Sequence, residues 1–347
     1  MLVSALVGLL GGCAKLQYMG QAVVGHGSII VGSRPVERIL RAPETEPVLA
    51  RQLGQANAIL AFAHRELSLP DNGSYRRYTR TGREHVVWNV IAAPKDSVNA
   101  IEHCFPVTGC VAYLGFYREI QARRAAEKLR HRGFDVFVAG VDAYSTLGWF
   151  RDPLLDTFLD YPLADLAGLL FHELSHQILY VPGDTVFNES FATVVEHAGV
   201  RKFLKSRGSS ALFEAYTVRR QKLRDFIALI AETKKHLATH YASVTDSGLL
   251  IRGKKRILDR LYGNMRQRFP NFGVSRSSTA DQAAELNNAF LAAYSLYYEF
   301  EPAFSRLLRE NNDDFEEFYL DVDRLSKLAA SERHARLRTL MDEAAQK

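Results

Sequence analysis

Between residues 169 and 197 the chain reads LLFHELSHQILYVPGDTVFNESFATVVEH, and the side chains best suited to chemistry lie in this stretch. His172 and His176 are four positions apart. On an α-helix that spacing puts both imidazoles on one face, one turn apart, where they can reach a single cation. Glu173 sits beside the first histidine and can hold a water next to such an ion. The three together have the form of a His-Glu-x-x-His zinc site, with the glutamate as general base. A catalytic zinc also needs a third protein ligand and an open position for water. Glu189, thirteen residues after His176, is the candidate.

Two helices must position these groups. Pro162 suits the first turn of one helix, Asp165 suits its positive end, and Pro182-Gly183 stops it. Asp184 or Thr185 would cap a second helix, placing Glu189 in its first turn. A short connection folds the two helices antiparallel and brings Glu189 opposite the histidines. Glu196, seven residues further along the same face, is placed to accept a hydrogen bond from the far nitrogen of a ligand histidine. His236 and His240 are also four apart, but no acid follows the first, and their lysine-rich and polar neighbours mark an exposed helix face.

The rest of the chain supplies a frame. Residues 48 to 67 carry apolar positions at helical spacing. The polar turn at 70 to 73 precedes Tyr75, Tyr78 and the run from Val86 to Ile91, a hairpin-like pattern. VTGCVAYLGFY and FDVFVAGV read as further strands, separated by a charged helix that Gly133 closes. From Pro153 the pattern is helical almost to the end, interrupted by a Pro/Gly/Ser-rich loop at 267 to 282. The predicted fold is α+β, with a strand-rich N-terminal part and a mostly helical C-terminal part that carries the zinc helix. With 347 residues, 47% of them hydrophobic and 24% charged, the chain can bury a sizeable core. Its net charge of +5 is scattered, with no basic stripe interleaved with aromatics, so nucleic acid is not an expected partner.

The first residues, MLVSALVGLLGGC, form an apolar run too short to span a bilayer, and they read as an export signal. Leu10-Gly11-Gly12-Cys13 resembles the bacterial lipobox. That resemblance implies that residues 1–12 are removed as a signal peptide and that Cys13 is lipidated. Residues 13–47 then form a lipid-anchored tether, and Ala14 sorts the protein to the outer membrane, facing the periplasm. Residues 48–152 make an α/β part and 153–347 a helical catalytic part. In an oxidising compartment Cys104 and Cys110 either close a small disulfide loop or remain two buried thiols in adjacent strands.

The two linked motifs resemble the gluzincin metallopeptidases, typified by thermolysin and aminopeptidase N. In that group the third ligand lies in an Asn-Glu-x-x-Ala/Ser context, matched here by Asn188-Glu189-Ser190-Phe191-Ala192. HELSHQ, FNESFATVVE, AYSTLGWF and LNNAFLAAYSLY together resemble a family of bacterial lipoproteins classed as zinc aminopeptidases. The resemblance implies one zinc ion on His172, His176 and Glu189. Gluzincins usually leave about eighteen residues between the second histidine and the ligand glutamate, which also keeps Glu196 open as the third ligand. A tyrosine further along would supply the donor for the oxyanion: Tyr297 first, with Tyr294 and Tyr298 as neighbours. Asn287 and Asn288 would bind substrate backbone. An edge strand before the zinc helix would pair with extended substrate, which points to Ser145, Thr146 and Leu147. The Gly-x-Met-Glu-Asn signature that holds a free amine in aminopeptidase N is absent, leaving Asp142 or Asp152 as substitutes.

The expected function is thus a zinc metallopeptidase, an aminopeptidase of the envelope acting on peptides. The alternative is an envelope lipoprotein that binds a peptide or protein partner around a structural metal. Its mark would be a fourth protein ligand: His197, Asp184 or a residue of the 140–155 segment.

Overall fold

The computed structural model describes residues 18–105, 109–269, 286–294 and 299–345. Its layout is α+β, 63% helical, with small sheets early and helices dominating the C-terminal part. The first helix, α1 (18–31), belongs to the folded body. Ile29 on it is buried in the main core, and the Gln21 side-chain amide donates to the Gly115 carbonyl at 3.0 Å. The described part of the expected tether, residues 18–47, is therefore packed rather than free. It continues through β1 (Arg34–Pro35) and α2 (Val36–Arg41) into α3 (Pro47–Glu66).

The expected hairpin is split between two sheets. β2 (Arg77–Thr79) pairs antiparallel with β1 and parallel with a late strand, β8 (Leu154–Leu155). It does not pair with β3 (Val87–Ala93). The cause is local: Asp156, just after β8, accepts from the amides of Thr81 and Gly82 and from the Thr81 hydroxyl, and so holds the connection away from a hairpin turn. β3 instead forms the centre of a second sheet, between β6 (Leu114–Phe116) and β7 (Asp135–Val141), antiparallel to both. A small hairpin, β4 (His103–Phe105) and β5 (Gly109–Val111), is closed by a Cys104–Cys110 disulfide.

Both faces of β3 are covered, which explains its almost unbroken apolar run. Val90 and Ala92 face α4 (Glu119–His131) through Ala122, Ala126 and Leu129. Ile91 and Ala93, with Phe137 of β7, face the opposite way. They pack on the long α7 (Ser210–Ser243), on α8 (Ser247–Arg268) and on the short α9 (Asn288–Tyr294). The main core gathers α3, α5 (Leu163–Ile178) and α6 (Thr185–Ser206) with three C-terminal helices: α10 (Glu301–Glu310), α11 (Phe315–Ser326) and α12 (Ala330–Ala345). Phe187 and Phe191 of α6 pack on Phe304, and Phe191 also meets Phe318.

Candidate metal centre

The helix pair α5–α6 is set by its ends. Pro162 precedes α5, and at its other end Val181 is pinned by Asn188: its amide donates to Asn188 Oδ1 at 2.8 Å and its carbonyl accepts from Nδ2 at 2.9 Å. Asp184 caps α6 by accepting from the Phe187 amide at 3.2 Å. The same carboxylate takes Arg333 Nε at 2.9 Å and Nη2 at 2.7 Å, and His334 at 2.8 Å. Buried with Arg333, it locks the start of α6 to α12. The turn between α5 and α6 runs the helices antiparallel: Gly168 lies against Glu196, and Phe171 lies against Gly199.

That register brings His172, His176 and Glu189 together. One ligand atom from each lies within 4.8 Å of the others. His172 Nε2 is 3.2 Å from Glu189 Oε2, and His176 Nε2 is 3.8 Å from Oε1. The far nitrogen of His172, Nδ1, faces Glu196 Oε2 at 3.3 Å. Glu196 is itself held by Arg220 at 3.3 Å and by the Tyr216 hydroxyl at 3.3 Å. It therefore orients a histidine from behind, and Glu189 is the carboxylate in the donor cluster.

Electrostatics follow from enclosure. Desolvation alone would lower the pKa of His172, but hydrogen bonds to Glu189 and Glu196 outweigh it and hold the imidazole well above its usual value. Burial pushes His176 down to about 4, against the pull of Glu189. Glu196 stays at about 2 despite burial, because Arg220 and the His172 hydrogen bond favour its charge. Glu173 keeps some solvent contact yet is hemmed in by protein. Desolvation raises it to about 7, opposed by His172 and reinforced by Glu189.

The remaining expected residues are distributed differently. His197 pairs with Glu301 at 3.1 Å, and Asp184 is spent on Arg333 and His334. Among the described residues neither joins the donor cluster as a fourth ligand. Ser145, Thr146 and Leu147 do not form a strand. Asp152 accepts from the Thr146 amide at 2.9 Å, the Ser145 hydroxyl accepts from the Leu147 amide at 3.1 Å, and Leu147 adopts φ 57°. The edge strands on either side of this segment are β7, which ends at Val141, and β8 (Leu154–Leu155). Asn287 and Asn288 tie α9 to the sheet. Asn287 donates to the Val136 carbonyl and caps Ala289 and Phe290, while fully buried Asn288 donates to the Pro94 carbonyl and accepts from Tyr241. Both side chains thus bond within the protein. Tyr294 packs on Phe137, Phe226 and Phe290. Tyr297, Tyr298 and Cys13 lie outside the described residues.

Sequence reasoning missed several aromatic neighbours. The Tyr75 phenol is raised well above its usual pKa by burial and then by the charges of Glu173 and Asp152, so it lies near both. Among the described residues its buried hydroxyl has no hydrogen-bond partner, and its backbone has φ 60°, a conformation a bulky residue rarely holds. Tyr113 feels Glu189 and Glu173, and Tyr180 feels Glu189. None had a spacing signal, because loops from the sheet layer bring Tyr75 and Tyr113 to the helix pair. The Asp142 carboxylate is occupied by His85 and Tyr161, and its main-chain carbonyl accepts from the Thr157 hydroxyl. Among the described residues the buried Asp152 Oδ1 has no partner, and desolvation raises its carboxyl to about 6.

The site is thus a two-histidine, one-carboxylate donor cluster with an adjacent carboxylate whose charge is costly. Two imidazoles and a carboxylate form a donor set that suits a divalent transition ion such as zinc, so the residues fit one. Residues 17–337 match the model of a protein family described as "Putative aminopeptidase". The chain belongs to that family. No match was found among curated proteins or among solved structures.

Proposed function

We propose that the protein is a zinc-dependent aminopeptidase, with the ion held by His172, His176 and Glu189. The observation that carries this reading is the convergence of those three donor groups within 4.8 Å. Bound there, zinc would polarise a peptide carbonyl and ease deprotonation of water. The protein's own groups do the rest. Glu196 fixes the ring of His172 from its far side, the arrangement that keeps one tautomer and one orientation. Among the described residues no hydrogen bond holds Glu173, whereas Glu189 and Glu196 are both engaged. Glu173 is therefore free to take a proton from the attacking water and return it to the leaving amine.

The apolar N-terminal run and Leu10-Gly11-Gly12-Cys13 support export and a lipid on Cys13, and a Cys104–Cys110 disulfide suits an oxidising compartment. Among the described residues no helix is long and apolar enough to cross a membrane. We place the protein on the periplasmic side of the envelope, at the outer membrane. The test of the activity is peptide hydrolysis by the zinc-loaded mature protein, with Glu173→Gln beside it. Loss of turnover with retained metal supports the reading; equal turnover by both proteins removes Glu173 from it.

A further inference from the structure

Glu196 faces two ways. Its Oε2 meets His172, while its Oε1 is held by Arg220 and by the Tyr216 hydroxyl, each at 3.3 Å. Arg220 and Tyr216 also line a cavity of about 290 Å³ between α6, α7 and α10. Four arginines border it: Arg201 from α6, Arg220 and Arg224 from α7, and Arg309 from α10. Asp313 is the one carboxylate in its wall among the described residues. Arg201 pairs with Asp313 at 3.0 Å, Arg220 with Glu196, and Arg224 with Glu301 at 3.7 Å, which leaves Arg309 without an ion pair among the described residues. The guanidiniums around the cavity thus outnumber the carboxylates that face them. The cavity has an inner end at Arg220, whose side chain is 14% exposed, and opens toward Arg224 and Arg201, at 40% and 50%. His197 lines it too. Nδ1 of that ring meets Glu301 at 3.1 Å, and Nε2, 4.0 Å from Glu196 Oε1, is buried with no hydrogen-bond partner among the described residues.

We propose that this cavity binds a small phosphate-class oxyanion, inorganic phosphate or diphosphate, and that Arg220 is shared between that anion and Glu196. The proposal goes beyond the peptidase reading and does not require it. Like charges gathered from three helices repel one another, and an anion between them replaces that repulsion with attraction. A guanidinium presents its N–H groups as a planar fork that matches the oxygens of phosphate. Forks arriving from three helices need oxygens in several directions. A tetrahedral dianion offers them, whereas a monocarboxylate has two oxygens in one plane. With Nδ1–H of His197 given to Glu301, Nε2 is able to accept from the P–OH of a monoprotonated phosphate. The volume is at the small end of the range for ligand sites and suits a small anion rather than a nucleotide or a peptide. Sharing has a consequence. An occupant draws on the guanidinium that braces Glu196, so anion binding and the grip of Glu196 on His172 compete.

The test is calorimetric titration of the full mature chain, freed of metal so that no bound ion can take the phosphate. Inorganic phosphate and diphosphate are the probes, with acetate and chloride at equal ionic strength beside them. The two phosphates should bind and the other anions should not. Arg309→Ala and Arg224→Gln should each weaken binding by about tenfold, the scale of one hydrogen bond to a charged group. Arg309 is exposed, so its variant decides the matter if Arg224→Gln does not fold. Glu196→Gln releases Arg220 from its carboxylate and should tighten phosphate binding several-fold. If that variant does not fold, Arg220→Lys replaces it; it keeps the charge, loses the fork and should bind phosphate more weakly. Equal binding of acetate, or unchanged affinity in folded Arg309→Ala, overturns the site. Unchanged or weaker binding in folded Glu196→Gln, or unchanged binding in Arg220→Lys, overturns the sharing of Arg220.

Discussion

Glu173, His172, His176 and Glu189 differ in what they lose on substitution. Glu173→Gln keeps shape and removes the base, so turnover should fall by about 10²- to 10⁴-fold while bound metal is unchanged. Glu196 works through His172, so Glu196→Gln should weaken metal binding by roughly 10- to 100-fold, read by competition with a chelating dye. Asp152 allows a prediction with a sign. Its folded pKa, about 6, lies above the ordinary 3.8. The folded state therefore holds the proton more tightly than the unfolded chain, and stability present below pH 4 is lost as pH rises through about 6. Asp152→Asn, 2% exposed in the parent, should be more stable than wild type at pH 8 by on the order of 3 kcal/mol and indistinguishable from it near pH 3. Denaturant unfolding at the two pH values checks this.

At the scale of elements, the α5–α6 pair is the device that turns spacing into a site. Its ends were legible because proline, glycine and a capping aspartate act locally: Pro162, Gly183 and Asp184 do what their types dictate. The strand pairing was not. The strands β2 and β3 follow one another in sequence, yet Tyr78 pairs with Arg34 and Leu154, and Val87 pairs with Val141. Partners so distant in the chain leave no periodic trace between them. The bonds of Asn287 and Asn288 to β7 were hidden for the same reason, since they span about 150 residues. Two substitutions probe the helix pair. Asp184→Ala removes a cap and strands buried Arg333, and should cost about 3–5 kcal/mol in unfolding free energy. Gly168→Ala would bring a Cβ within 3.2 Å of Glu196 Cγ and Oε1, so Glu196 must give way. Metal affinity should drop in that variant more than stability does, and chelator competition beside a melting curve separates the two.

Taken as a whole molecule, the protein does not divide where composition changes. The main core runs from Ile29 through Leu60 and Val87 to Phe318 and Leu340, so residues on both sides of 152 share it. Arg333, near the end of the chain, holds the cap of the helix that carries Glu189. An expressed 153–347 fragment should therefore fail to give a cooperative melting transition, whereas the full mature chain should give one; a folded fragment would show that the C-terminal helices suffice. The basic but unclustered charge, the apolar N-terminal run and the two helical motifs were readable in the sequence. The cavity between α6, α7 and α10 and the tyrosines around Glu173 were not, since they exist only once distant elements meet.

The central claim is that His172, His176 and Glu189 hold one metal ion together. Elemental analysis of zinc after dialysis tests it most directly, on the wild type, Glu173→Gln and Glu189→Ala. The account predicts one ion per chain in the first two and almost none in the third. An unchanged zinc content in folded Glu189→Ala, or none in the wild type under saturating zinc, would contradict it.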